Sequence, residues 1–273
     1  MSKVITEFNI NAVDFFRHSA DDRPDVSLYR PHFHNSYEIY LFLSGDASFT
    51  VETEQYELAP YDLLVIPPAK YHYLNPRAGQ TYERCVINFL PADIPPHFVG
   101  FLREISGYYR RVSDTDVYPL LRRMEACHKK YGAADFAALL PYMLGELILC
   151  LGTAGHERAG GRAVSPVTAQ ILQYVGEHLH EPLSIKTLAE ALFISQSHLS
   201  HEFRRHYHIS VMQYIRQKKI LTAQKLIRDG ARPTAACEQC GFGNYVTFYR
   251  TYKKALGASP AETAGEADRT SGL

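Results

Sequence analysis

The chain has 273 residues, 46% of them apolar and 21% charged, enough to bury a core and too apolar for global disorder; the length fits two modest domains. Five cysteines, odd in number and spread over both halves, exclude a disulfide framework. The formal charge is zero, but residues 1–164 hold 16 Lys and Arg against 20 Asp and Glu, net −4, and residues 165–273 hold 13 against 9, net +4, which points to nucleic acid at the C-terminal end.

The opening MSKVITEFNINAVDFF has no basic cap followed by an apolar core, so no secretory signal is read there. The longest apolar run, around Leu144 to Leu151, is broken by Gly145 and Glu146, short of the roughly 18 residues of a membrane span. A cytoplasmic protein without a membrane partner is expected. From about Val26 to Leu90 the text reads as short strands, EIYLFL, ASFTVE, DLLVIP and ERCVINFL. Turn residues at Gly45-Asp46, Ala59-Pro60-Tyr61-Asp62 and Asn75-Pro76 separate them, the spacing of a sandwich or barrel.

Within this region lies PHFHNSYEIYLFLSG, with His32, His34 and Glu38. Even separations share a face on a strand, so all three are expected to point into the barrel. Neutral imidazoles with one carboxylate suit iron, manganese, nickel or zinc; the same residues also serve as hydrogen-bonding scaffolding. Tyr29, Arg30, Tyr40, Tyr71 and Tyr73 flank them in a chain with 19 tyrosines and no tryptophan, compatible with a pocket for sugars or aromatic effectors and equally with packing.

From Phe98 the period turns helical. Phe136, Leu139, Leu140, Met143, Leu144, Leu147, Ile148 and Leu151 follow the i, i+3, i+4, i+7 series, and Pro141 is expected to kink this helix or mark its first turn. Its broad apolar face is expected both to cover the barrel and to pair with a second copy. TAGHERAGGRAVS, residues 153–165, is small, polar and glycine-rich, and reads as a linker.

Two helical patterns joined by a tight turn follow in SIKTLAEALFISQSHLSHEFRRHY, with Leu188, Ala189 and Leu192 inward on the first and Leu199 and Phe203 inward on the second. Ser195 is the expected N-cap, and the plan is that of a helix-turn-helix. The outer face of the second helix offers Gln196, Ser197, Ser200 and His201 to base edges, and Arg204 and Arg205 to phosphates; a solvated face is the plain alternative. VMQYIRQKKILTAQKLIRDG reads as a connecting helix with Arg216, Lys218, Lys219 and Lys225 outside. A second unit then repeats the plan: Pro233 opens a helix, Gly241 turns, Phe242 plugs the core and Asn244 caps. Phe248 and Tyr252 face inward, which leaves Tyr245, Val246, Thr247, Tyr249 and Arg250 for DNA, with Lys253 and Lys254 behind. Cys237 and Cys240 form a CxxC that no second pair completes, and one helical turn explains the spacing better than zinc or redox chemistry.

These segments, together with GFGNYVTFYRTYKKALGASP, resemble the AraC/XylS family of bacterial transcription regulators over about the last hundred residues. The resemblance implies two helix-turn-helix units on one connecting helix, reading adjacent major-groove segments. It places base contacts at Ser197, Ser200, His201, Tyr245, Val246, Tyr249 and Arg250. Ala236, Cys237 and Tyr252 depart from the usual residues at core positions. The front half resembles the first cupin motif, His32, His34, Glu38 and Gly45, without its upstream glycine; PPAKYH resembles the second, with Ala69 at the usual glycine. In cupin enzymes the residues matching His32, His34, Glu38 and His72 bind one metal.

The expected fold is two-domain α+β: a cupin-like β-barrel with trailing helices (1–152), a linker (153–165), an all-α double helix-turn-helix domain (166–262) and a disordered tail (263–273). The expected function is a sequence-specific transcriptional regulator, not an enzyme, whose cupin domain senses a small-molecule effector such as a sugar through His32, His34, Glu38, Tyr40 and His72. Expected partners are double-stranded DNA, the effector, a second copy of the chain and RNA polymerase. No cofactor is required, although a divalent transition metal fits. The alternative is a metal-dependent cupin enzyme or a metal-sensing regulator.

Overall fold

The computed structural model describes residues 2–20, 31–77, 81–109, 111–153, 160–163 and 165–270. The chain divides into two compact units, one of residues 1–32 and 36–162, the other of residues 33–35 and 163–273.

The first unit begins with two strands ahead of the predicted set, β1 (Ser2–Ile10) and β2 (Val13–Ala20). Asn11 (φ 52°) and Ala12 (φ 63°) join them as a two-residue hairpin turn, both in the left-handed region that such turns require. There follow β3 (Tyr37–Ser44), β4 (Ala47–Val51), β5 (Glu54–Glu57), β6 (Leu63–Ile66), β7 (His72–Pro76), β8 (Tyr82–Phe89) and β9 (Gly107–Tyr109). Helices α1 (Val117–Lys130) and α2 (Ala133–Thr153) come next, then a two-residue β10 (Arg162–Ala163). One sheet has the order β1-β2-β8-β3-β6-β9, the other β10-β5-β4-β7. Within residues 153–165, read as linker, Arg162–Ala163 therefore forms a strand; residues 154–159 and 164 lie outside the described residues.

Seven consecutive residues of β3 are buried because both its faces are covered. Tyr40 and Phe42 point into the space between the sheets with Phe49, Leu64, Leu74 and Val86. Ile39, Leu41 and Leu43 point the other way, against Met124, Leu140, Leu144, Leu147 and Ile148 of the helices. EIYLFL is thus a continuous apolar run where a one-sided strand would alternate. By length and composition α2 could cross a membrane; as the helix that carries seven buried residues of this outer core it has a sheet as its apolar environment.

Pro141 lies inside α2, past its first turn. Lacking an N–H, it cannot serve the carbonyl of Ala137 four residues back. Asn11 Nδ2 of the hairpin turn donates to that oxygen instead, at 3.2 Å. Asn11→Gly should keep the turn and cost about 1 kcal/mol. In a Pro141→Ala background, where the backbone can supply the donor, the cost should shrink, a coupling that thermal melting of the four variants measures.

The second unit is helical: α3 (Pro166–Glu177), α4 (Ile185–Ala191), α5 (Gln196–Tyr207), α6 (Val211–Arg228), α7 (Pro233–Gln239), α8 (Tyr245–Leu256) and α9 (Pro260–Thr270). The expectation of a disordered tail from residue 263 is corrected by α9. Its small polar composition hides a good start signal: Ser259 Oγ accepts from Glu262 N–H, Glu262 returns a bond to Ser259 N–H, and Pro260 opens the helix. Thr263 is buried, and its hydroxyl accepts from Tyr252 at 3.0 Å. Residues 271–273 lie outside the described residues.

Candidate effector pocket and nucleic-acid interface

A cavity of about 140 Å³ opens between the sheets of the first unit, walled by β2, β3 and β8 on one side and β4 and β7 on the other. Of the predicted residues, His32, Glu38, Tyr40, His72 and Tyr73 line it. Tyr71 is buried outside the lining, and Tyr29 and Arg30 fall outside the described residues.

The histidines do not share one strand with Glu38 as the parity argument required. β3 starts only at Tyr37, after a bend at Asn35-Ser36, and His32 is instead held to His72 by an isolated bridge with both backbone bonds at 3.2 Å. The outcome nevertheless gathers three of the predicted group within the first unit: one ligand-type atom from each of His32, Glu38 and His72 lies within 4.8 Å of the others, while His34 falls in the second unit. His72 Nδ1 meets the Lys70 carbonyl at 2.8 Å, which directs Nε2 toward Glu38 Oε2 at 3.3 Å. Burial opposes charging this imidazole, yet the Glu38 carboxylate and the Lys70 carbonyl outweigh burial and hold its pKa above the ordinary histidine value. Ala69, at the position where the resembling motif has glycine, adopts φ 60°.

Six lining residues were not singled out from the sequence: Phe16, Phe49, Leu74, Arg84, Val86 and Asn88. Arg84 of β8 lies 5.5 Å from the Phe16 ring and 5.9 Å from those of Tyr40 and Tyr82. Asn88 Oδ1 is buried with no hydrogen-bond partner among the described residues. Phe16 supplies an aromatic wall. For the β8 residues the signal was the inward alternation of Arg84, Val86 and Asn88 in ERCVINFL, legible once the buried face is known. Tyr40 is almost fully buried, its hydroxyl bonded to that of Tyr82, and burial raises its pKa.

His18, opposite Arg84 in the β2–β8 register, is 9% exposed. Burial and then the Arg84 charge lower its pKa. The unfolded chain binds this proton near pH 6.5, the folded chain only at lower pH, so the stability due to neutral His18 is full above about pH 6.5 and is lost as pH falls through the folded pKa. His18→Gln should flatten that acid limb; urea unfolding at pH 7 and pH 5 checks it, and an identical acid loss in the variant contradicts it.

In the second unit, both helix-turn-helix motifs form. Ser195 Oγ caps α5 by accepting from His198 N–H (3.1 Å), and Asn244 Oδ1 caps α8 by accepting from Val246 (2.8 Å) and Thr247 (3.1 Å). Leu188, Ala189, Leu199 and Phe203 are buried, as are Phe248 and Tyr252. Gln196, Ser197, His201, Arg204 and Arg205 are exposed on α5, and Tyr245, Val246, Thr247, Tyr249 and Arg250 on α8. Ser200 is half-buried and donates back to the Gln196 carbonyl at 2.8 Å; Arg205 pairs with Glu202 at 3.3 Å. Cys237 and Cys240 sit in the apolar cluster beneath α8, where burial pushes the Cys240 thiol up to about 11.

The two turns differ. Each places one residue at positive φ after its first helix, Phe193 (55°) and Gly241 (63°). Phe193 is 96% exposed, whereas a side chain at Gly241 would meet the His180 carbonyl oxygen at 2.2 Å. Lys219, expected outside, is 6% exposed beside that turn, and burial lowers its pKa. The helix-period reading failed there because the outer side of α6 is covered at this point by the α3–α4 connection.

Against known protein families, residues 188–266 match a helix-turn-helix domain and residues 13–140 match the AraC-like ligand binding domain, together about three quarters of the chain. The chain belongs to the AraC family. It is a DNA-binding transcriptional regulator with an N-terminal ligand-binding domain. Relatives of this AraC-family regulator include the arabinose operon regulatory proteins of Salmonella typhimurium, 26% identical over 87% of this chain and 86% of that one, and of Escherichia coli, 25% identical over 87% and 83%. Among solved structures, ToxT from Vibrio cholerae matches 96% of this chain and 99% of its own at 11% identity and a TM-score of 0.40.

Proposed function

We propose that this regulator reads DNA with α5 and α8 and that a small polar effector in the barrel cavity alters that binding. Base edges are read by Gln196, Ser197, Ser200 and His201 on α5 and by Tyr245, Val246, Thr247, Tyr249 and Arg250 on α8. Arg204 and Arg205 meet phosphates. The observation that carries the sensing half is the chemistry of the cavity: acceptors at Glu38 and Asn88 Oδ1, a cationic donor at Arg84, an imidazole at His72, and aromatic walls at Phe16, Tyr40 and Phe49. A ligand offering both hydroxyl donors and acceptors, with an apolar face for the rings, satisfies all of these, so a small sugar is the favoured class. The site regulates rather than turns over its ligand, in a cytoplasmic homodimer that acts on RNA polymerase at a promoter. Coupling between cavity and DNA is ordinary linkage, each ligand changing the affinity for the other.

The experiment is an electrophoretic mobility shift against the region upstream of the regulator's own operon, with and without monosaccharides found by thermal-shift screening. A specific, salt-sensitive complex whose affinity changes with one sugar supports the reading. No such complex under any condition refutes it.

A second reading rests on the 4.8 Å grouping of His32, Glu38 and His72, to which the cupin-like motif adds His34. These residues fit a divalent transition metal: the donor set is suitable, and the Lys70 carbonyl fixes the His72 tautomer as an outer partner of a ligating histidine does. His32, His34, Glu38 and His72 would hold it, and the ion would supply a Lewis-acidic anchor for effector oxygens. Elemental analysis of the purified chain decides this. Stoichiometric metal that is lost in His34→Ala supports it, and metal-free protein excludes it.

A further inference from the structure

Within the second unit, each helix-turn-helix packs on α6 through its own apolar cluster. Phe203 and Tyr207 of the first meet Tyr214 edge to face. Ala236, Cys237 and Phe248 of the second close on Ile220, Ala223 and Ile227. Apolar contact is non-directional and tolerates small rotations. The directional link is Lys219 of α6. Its buried Nζ donates to the Glu181 carbonyl at 2.7 Å, in the connection that leads into α4, and to the Gly241 carbonyl at 3.0 Å, in the turn between α7 and α8. It also lies 5.8 Å from the Phe242 ring. The turn is tightly packed here: a Cβ at Gly241 would stand 2.2 Å from the His180 carbonyl oxygen, which demands the glycine, and Nζ lies beside the same spot. Burying an ammonium on two carbonyls is a costly way to fill space that methionine would fill more cheaply, so the gain is in geometry rather than in stability.

We propose that Lys219 is a positioning residue for DNA recognition: its ammonium ties the entry of the first helix-turn-helix to the turn of the second and holds α5 and α8 at one separation along the DNA. This rests on the reading that α5 and α8 both contact DNA. One base pair inserted between their two segments moves the second by about 3.4 Å and turns it by about 35°. A rigid pair of helices cannot follow that shift, and a pair joined only by apolar packing can follow part of it.

The test uses the full chain and a duplex recovered by in vitro selection on the wild type, with footprinting to locate the two contacted segments. Affinity is compared between that duplex and one carrying a single inserted base pair. The wild type should lose at least about 10-fold on insertion. Lys219→Met, shown to be folded by circular dichroism and melting, should lose about 3-fold or less, because the tie is gone. Lys219→Arg, which still reaches two carbonyls, should keep the wild-type penalty. A merely structural lysine would weaken both complexes equally and leave their ratio unchanged, so a folded Lys219→Met with the wild-type ratio overturns the proposal. Should Lys219→Met fail to fold, Lys219→Leu, which can serve neither carbonyl, is read in the same way. If the wild type selects no duplex, or protects one segment only, the two-helix reading falls and the tie with it.

Discussion

Phe248→Ala is expected to destabilise the helical unit by about 3–5 kcal/mol. The ring is fully buried and meets Phe242 at 5.2 Å, Tyr245 at 5.7 Å and Tyr252 at 5.4 Å, so its loss opens a hole that three neighbouring rings cannot fill without leaving their own contacts. Ile220, Ala223 and Ile227 of α6 form the floor of the same cluster, so the damage reaches the helix that joins the two reading units. With a total stability of roughly 5–15 kcal/mol for a domain, a loss of this size leaves a substantial unfolded fraction at growth temperature. Chemical denaturation followed by far-ultraviolet circular dichroism checks it. A change below about 1 kcal/mol would mean that Phe248 is not the plug of this core.

Glu38→Gln is expected to cost the cavity its ligand while sparing DNA binding. The substitution keeps volume and removes charge, so the barrel should fold. The carboxylate stands 3.3 Å from His72 Nε2 and faces the cavity, and a ligand hydrogen bond to a charged group contributes about 1.5–3 kcal/mol, or roughly 10- to 150-fold in affinity. Calorimetric titration with the sugar that shifts the wild-type melting temperature should show at least a ~10-fold weaker Kd. Affinity for the operator without sugar should match the wild type. Unchanged sugar affinity would remove Glu38 from the site, and lost operator binding would show that the variant acts through folding.

Much of this molecule is legible from its text because local signals and tertiary demands agree. Ser195 and Asn244 are good caps in any context, and both cap here; Leu199, Phe203, Phe248 and Tyr252 fall at helical spacing and are buried. The misreadings arise where a remote segment decides. Lys219 sits among charged neighbours on a helix surface, and only the arrival of residues 180 and 181 buries it. Arg84 and Asn88 look like the polar face of a strand until β3 and β8 prove to be covered on both sides. His32 reaches Glu38 through a bridge to His72, a non-local pairing that strand parity cannot supply. Hairpin β1–β2 went unread because its turn is Asn11-Ala12 rather than a strong Asn-Gly signal.

The measurement that bears most directly on the account is fluorescence anisotropy of a labelled operator duplex, titrated with the full chain in the absence and presence of saturating sugar, for the wild type and for Glu38→Gln. A salt-sensitive, sequence-specific complex is expected, whose Kd moves by about 5- to 150-fold with sugar in the wild type and by much less in the variant at a sugar concentration that just saturates the wild type. A wild-type Kd indifferent to every ligand that binds the cavity, or a full sugar response in Glu38→Gln, would contradict it.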